Sequence, residues 1–382
     1  MFNFTKQKKK ILVWGISLAV CLPTTIGFFS DYKTNIANFL LELSIASSIV
    51  AMPEGGLALI KDRFDSEIFT QSEKEQYEEI HSSSSSLPPS SSSTSSHLSQ
   101  IMPNSSSIVP PSIAKEYEGT ITEQNMAGKN GNYTPIGSGY LKNFTKLSTQ
   151  QIHKELKVPL DLTIKKTKEP QVLIIHTHAT ESYTDYDSIF FDKRNTFRTR
   201  DHTKNMVAVG KAFSQGLEKN GIGVIHDTTE YDYPSYGGAY DRSAKSIKSY
   251  LKQYPTIKVV LDIHRDALEI EENNLLKPVT VIDGKKAAQL MIISCGEDGT
   301  YKMPYWKNNL RFGAAFENKI AEKYDTLTRP LLFCYRKYNQ DLNPATLLLE
   351  FGSNSNTLEE SIYTAQLTSE ILADLLKDHE IK

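Results

Sequence analysis

A serine- and proline-rich tract cuts this 382-residue chain in two and decides where a core can form. From Gln71 to Pro111 the sequence passes through Ser82–Ser86, Pro88-Pro89, the serine-rich run Ser90–Ser96, Pro103 and Pro110-Pro111. These side chains offer too little apolar surface to offset the entropy of ordering them, so residues 71–111 read as a disordered tether. At 5–6 Å × √n, about 40 such residues reach roughly 35 Å. A domain with a sizeable core therefore fits only downstream, over residues 112–382.

Upstream, lysines at 6 and 8–10 precede an apolar run from Ile11 to Phe29. About 19 residues at 1.5 Å each give roughly 28 Å, close to the bilayer core. Basic residues before the run and few after it favour a cytoplasmic N-terminus and an exported body. The run is long for a signal-peptide core and lacks a clear small-x-small site, so a transmembrane anchor over 1–30 is expected, with a cleaved signal peptide as the alternative. Residues 31–70 carry milder apolar segments broken by Glu42, Ser44 and Pro53-Glu54-Gly55-Gly56, the pattern of membrane-proximal helices. A net charge of -2 and no basic patch exclude nucleic acid as a partner. Cys21, Cys295 and Cys334 lack CxxC spacing, which argues against a cysteine-bound metal or a redox motif.

After the tether, strand-like and helix-like stretches alternate, the pattern of an α/β fold with a mainly parallel sheet and helices on both faces. Strands are expected at 172–175, 222–225, 257–263, 279–282, 289–294, 330–335 and 346–351. Helices are expected at 203–220, where Met206, Val209, Phe213 and Leu217 share a face, after Asp241 as a cap, at 307–324 and at 357–377. Ligands of such sheets gather beyond the carboxyl ends of the strands. Three chemically loaded stretches fall there.

The first is His176-Thr-His-Ala-Thr-Glu-Ser-Tyr183. Strand alternation places His176 and His178 on one side, with Glu181 within a turn, the donor types of a zinc site that keeps a place for water. The bland alternative is a pair of hydrogen-bonded histidines at a sheet edge. The second is His264-Arg-Asp-Ala267, and the third is Glu350, inside the apolar run Leu347-Leu-Leu-Glu-Phe351. A carboxylate there is costly to bury alone, and desolvation raises its pKa toward that of a general base.

These blocks, with His226-Asp-Thr-Thr-Glu-Tyr-Asp-Tyr-Pro-Ser-Tyr236, Tyr240-Asp-Arg-Ser243 and Glu350-Phe-Gly-Ser-Asn-Ser-Asn-Thr357, resemble in order those of the stage II sporulation protein P family. The resemblance covers about 160 to 380 and implies a zinc-dependent cell-wall hydrolase of sporulation. That family is distantly similar to N-acetylmuramoyl-L-alanine amidases with a phosphorylase-like α/β fold, which bind zinc through His, Glu and His. The similarity implies His264 as a ligand, Glu350 as the base, and His176, His178 and Glu181 as the remaining ligand candidates. Where those amidases carry their ligand glutamate, this chain has His202, or nearly Asp201. Arg265, Asp266 and Arg242 are the substrate-binding candidates, and Tyr233, Tyr236 and Tyr240 could line a glycan cleft. The implied substrate is peptidoglycan, cut at the muramoyl amide and also in cross-links. The implied partners are a lytic transglycosylase and a membrane protein that recruits both to the septum. Competing readings are an extracytoplasmic zinc carboxypeptidase or deacetylase, and a wall-binding protein without activity.

Overall fold

The computed structural model describes residues 112–381, so the expected anchor, membrane-proximal segment and tether lie outside the described residues. Among the described residues no helix is long and apolar enough to cross a membrane. In chain order the strands are β1 (Glu118–Gln124), β2 (Thr134–Pro135), β3 (Tyr140–Asn143), β4 (Ile164–Lys165), β5 (Val172–Ile175), β6 (Phe190–Asp192), β7 (Val224–His226) and β8 (Val259–Asp266). They continue as β9 (Glu269–Glu271), β10 (Asn274–Ile282), β11 (Lys285–Ala288), β12 (Leu290–Cys295), β13 (Leu331–Cys334), β14 (Thr346–Ser353) and β15 (Glu380–Ile381). The α-helices are α1 (Thr149–Leu156), α2 (Met206–Lys219), α3 (Ala239–Gln253), α4 (Trp306–Lys323) and α5 (Leu358–Asp378).

Eight strands make the central sheet, in the order β2-β3-β13-β12-β14-β8-β5-β7. The strands β7, β5, β8 and β14 run parallel to one another. Against them β12 turns antiparallel, and β13 and β3 follow its direction. The sheet is thus mixed, not mainly parallel as expected. The reason lies between β8 and β12, where the chain forms strands and no α-helix. A parallel return needs a crossover of a dozen or more residues, usually a helix, and β11 leads into β12 almost directly. A second sheet, β11-β10-β1-β6 with β9 on β10, takes residues 279–282, which were expected in the main sheet. Asp241 lies in the first turn of α3, and Gly238, in the left-handed region at φ 75°, holds the cap position expected for Asp241.

Period-two alternation sorts the strand side chains between two covered faces. Val172, Ile174, Leu261, Ile263, Leu347 and Leu349 pack with residues of α2, α4 and α5. Leu173, Ile175 and Val260 pack with Ala239 and Ile247 of α3. Each such side chain contributes roughly 1.5–3 kcal/mol when fully buried. That core holds the strand tips rigidly at one edge.

Beyond Glu350 the chain makes a sharp turn that ties the two sheets together. Gly352 sits at φ 70°, and a Cβ there would lie 2.5 Å from Asn356 Oδ1. The hydroxyls of Ser353 and Ser355 both donate to the Leu276 carbonyl, at 2.9 and 2.8 Å. Tyr183 donates to the Phe351 carbonyl at 3.0 Å, and Thr184 Oγ1 to that of Asn356 at 2.9 Å. The block around His178 and the block after Glu350 therefore build each other.

One interior acid stands apart from this arrangement. Glu317 on α4 accepts a hydrogen bond from Thr328 at 2.9 Å, but its Oε2 is buried without a partner, and burial pushes its pKa up to about 8. A folded-state value above the unfolded one gives stability that is full below the unfolded pKa and is lost as pH rises through about 8. Glu317→Gln is accordingly expected to flatten the fall in melting temperature between about pH 5 and about pH 8. Parallel melting curves for the two proteins over that interval would contradict the assignment.

Candidate metal and active site

β5 stops at Ile175, and residues 177–180 form a turn. Alternation lapses there, so the two histidines of the His-Thr-His stretch part company, contrary to the expectation that they share a side. His176 turns toward α2, with Nδ1 2.9 Å from the Ile263 carbonyl oxygen and Nε2 2.8 Å from His226 Nε2. If Nδ1–H donates to the carbonyl, His176 Nε2 must accept from His226 Nε2–H. Gly210 makes the room, since a Cβ would lie 2.4 Å from His176 Nε2 and 2.7 Å from His226 Nε2. Burial pushes the two histidines down, to about 3 and about 4, which keeps the pair neutral. A 2.8 Å separation is a hydrogen bond. Two donors on one tetrahedral ion at ~2.0–2.1 Å would stand ~3.3 Å apart. His176 thus pairs with His226 of β7 and stands apart from His178.

His178 turns the other way. Its ring centroid lies 5.4 Å from that of His264 at 81°, it stacks on Tyr236 at 4.3 Å, and Tyr240 meets it edge-on at 5.5 Å. Nδ1 is buried and lacks a hydrogen-bond partner. Burial, helped by the positive His264, holds its pKa well below the usual imidazole range. A neutral ring is the form that binds a metal.

His264 and Glu350 are directly paired across the parallel strands β8 and β14. His264 lies between two carboxylates, with Nδ1 3.4 Å from Glu181 Oε2 and Nε2 2.8 Å from Asp262 Oδ1. The second contact is short but not aligned as a hydrogen bond. Burial opposes a charge on His264, yet Asp262 and Glu181 outweigh it and lift the pKa well above the usual range. Asp262 is itself held by the Thr177 amide at 2.8 Å and hydroxyl at 2.6 Å. Burial, reinforced by Asp266, raises the Glu350 carboxyl well above the usual range, and its Oε2 has no hydrogen-bond partner. The site therefore sets a buried carboxyl beside an imidazole poised between two carboxylates.

Among the described residues no group of three or more His, Cys, Asp and Glu side chains stands ready to hold a metal ion. The donor chemistry nevertheless fits one. His178 Nδ1 and Glu350 Oε2 are buried without hydrogen-bond partners, and buried polar atoms left unpaired call for a water or an ion. Glu181 lies 3.4 Å from His264, near the edge length of a tetrahedral zinc site. His178, His264 and Glu181 make a two-histidine, one-carboxylate donor set. With His264 Nδ1 beside Glu181 as the ligating atom, Nε2 has the Asp262 carboxylate against it, the usual orienting partner of a ligating histidine.

The other sequence candidates lie in the frame. Arg265, 3 % exposed, donates to the carbonyls of Ser182 and Phe197, both at 3.1 Å. Arg242 donates to the carbonyls of Tyr231 at 2.6 Å and Gly237 at 3.0 Å, fastening the loop that carries Tyr236. Asp266 is bound by Arg329 at 2.7 Å. His202 pairs with Glu230 at 3.1 Å, and Asp201 accepts from Thr203, so neither joins His178 and His264. Two residues of the site went unread in the sequence. Asp262 was legible as the same-face neighbour two residues before His264, whereas Arg329 belongs to no motif.

A family model described as Stage II sporulation protein P (SpoIIP) matches residues 63–373. The Stage II sporulation protein P of Bacillus subtilis (strain 168) is 27% identical over 220 residues, 55% of this chain and 52% of that protein. The chain thus spans about half the length of that curated relative. Among solved structures, an N-acetylmuramoyl-L-alanine amidase of Nostoc punctiforme is similar at 12% identity and a TM-score of 0.34, covering 56% of this chain and 98% of that one. The CwlD amidase of Clostridioides difficile, solved in complex with the GerS lipoprotein, gives 12% identity and 0.35, covering 54% and 97%. At TM-scores this low, neither likeness carries any part of the reading of the site. The match over residues 63–373 covers most of the sequence, and the chain belongs to the stage II sporulation protein P family.

Proposed function

We propose that the chain is a peptidoglycan hydrolase that cleaves the amide between the muramic acid lactyl group and L-alanine, with zinc as cofactor. The observation that carries this reading is the convergence of His178 and His264, 5.4 Å apart, with Glu181 and Glu350 against them. Family membership supports wall hydrolysis during engulfment in sporulation. The lysine-flanked apolar run supports anchorage with the catalytic domain outside the cytoplasm, and the Ser/Pro tract supplies reach. A lytic transglycosylase and a membrane recruiter are the partners this reading implies.

His178, His264 and Glu181 would hold the ion. Zinc bound there acidifies water and polarises the amide carbonyl. Glu350 takes a proton from the attacking water as oxygen adds to the carbonyl carbon, and delivers it to the leaving nitrogen as the C–N bond breaks. The products are the lactyl carboxylate and the free amine of L-alanine. A carboxyl whose pKa is raised by burial holds that proton long enough to donate it. Asp262 and Thr177 fix the His264 ring, and Tyr236 and Tyr240 flank His178.

Glu350→Gln is expected to cut release of stem peptides from purified sacculi at least ~100-fold, read by mass analysis of the soluble products. The melting temperature should hold, because an unpaired buried acid is lost. Shortened stems in place of intact ones would point instead to a carboxypeptidase. His178→Ala and His264→Ala should each lower bound zinc from about one equivalent to a small fraction, measured by elemental analysis of the folded protein. Full zinc content in both variants would refute the donor set.

A further inference from the structure

The cations near the site fall into two groups, and the chain's own acceptors serve them unequally. On the Tyr236 side, Arg198 lies 3.3 Å from Asp232, Arg200 lies 2.7 Å from Glu230, and Arg242 is spent on backbone carbonyls. On the opposite side of Glu350, toward β12, β13 and β3, the balance is different. Arg329 is 2 % exposed and gives Nη1 to Asp266, but its Nε and Nη2 have no hydrogen-bond partner. Lys142 on β3 is partly exposed, and its ammonium stands 5.0 Å from the Phe144 ring centroid. Among the described residues, no carboxylate lies within ion-pair distance of Lys142. Lys142 pairs with Leu332 of β13, three residues after Arg329, which sets the two cations on neighbouring segments with Asp266 bound to Arg329. Burial and the charge of Arg329 hold the Lys142 pKa below its usual range.

Arg329 reaches the site face through Asp266, two residues after His264 on β8, and Lys142 lies on that face as well. Leu141 belongs to the core under α2, α4 and α5, so alternation turns Lys142 to the other face. Leu348 and Leu332 pack on that face, and Glu350, two residues after Leu348, points the same way. Register runs from Glu350 to Met291 on β12, then through Ile293 and Leu332 to Lys142. Three strand spacings of ~4.8 Å, combined with the two-residue step from Met291 to Ile293, give ~16 Å between the Glu350 and Lys142 backbones, and the long Lys142 side chain closes part of it.

We propose that Arg329 and Lys142 form an anion subsite for a carboxylate of the stem peptide. The peptide half of the substrate then leaves Glu350 across β12 toward β3, and the glycan half lies on the Tyr236 side. This rests on the amidase reading. Of the two halves that the amide joins, only the peptide keeps free carboxylates, since the carboxyl of the muramic acid is itself tied up in that amide. Arg329, buried with two unspent N–H groups, selects a planar acceptor, and Lys142 opens the subsite to solvent.

The test is calorimetry of the full-length protein with two synthetic tripeptides, L-Ala-γ-D-Glu-L-Lys with an amidated C-terminus, and the same peptide with the glutamate α-carboxylate converted to carboxamide. The carboxylate form is expected to bind about tenfold more tightly, and Lys142→Met to reduce that preference below about threefold with an unchanged melting temperature. Arg329→Lys, which keeps the charge beside Asp266, should weaken the carboxylate form and leave the carboxamide form unaffected. Equal affinities in the wild-type protein, binding of neither peptide at millimolar concentration, or a Lys142→Met protein that keeps the whole preference would overturn the subsite. Neither peptide contains the scissile amide. A protein that prefers the carboxylate yet releases nothing from sacculi would therefore contradict the amidase reading and leave the subsite standing.

Discussion

The pairing of His264 with Glu350 across β8 and β14 is the constraint on which the rest of the site depends. Both strands are buried along all eight residues, so an imidazole and a carboxyl enter the interior side by side. Isolated charges cannot be left there, and the surrounding structure answers that demand. Asp262 and Glu181 flank the imidazole, Thr177 fixes Asp262, and the turn of residues 177–180 swings His178 over the same spot. The serine-asparagine turn after Glu350 then bolts this edge to the second sheet through Leu276 and to the His178 block through Tyr183. Chemistry and framework are bound together by a few hydrogen bonds.

The helices α2, α4 and α5, and the strands β5, β12, β13 and β14, follow closely from periodicity and caps, because each depends on its own residues. What pattern could not give is what distant segments decide. The reversal at β12 is set by the missing crossover helix, and β2 and β3, which precede the first strong strand, join the main sheet through β13. The fate of His176 is of the same kind. Its spacing from His178 suggested a shared side, but the strand ended one residue too early, and Gly210 and His226 were already waiting on the α2 face. The pairing of His178 with His264 was legible as two strand tips of one sheet. Arg329 was not, since nothing in its local sequence announces a buried guanidinium beside Asp266.

The charges of the interior also separate by task. Arg265 and Arg242 carry loops by donating to carbonyls, which frees neither for a substrate. Glu350, His178 and Arg329 keep polar atoms that the chain does not satisfy. In a close-packed interior such atoms are expensive unless a ligand or water satisfies them.

The central claim is that His178, His264 and Glu181 surround a single ion with Glu350 beside it. Anomalous diffraction at the zinc edge from crystals of the zinc-loaded protein tests it most directly. The account predicts one peak within ~2.1 Å of a ring nitrogen of His178 and of His264, and within ~2.2 Å of a Glu181 carboxylate oxygen. A peak bound instead by His176 and His226, or none at this edge of the sheet, would contradict it.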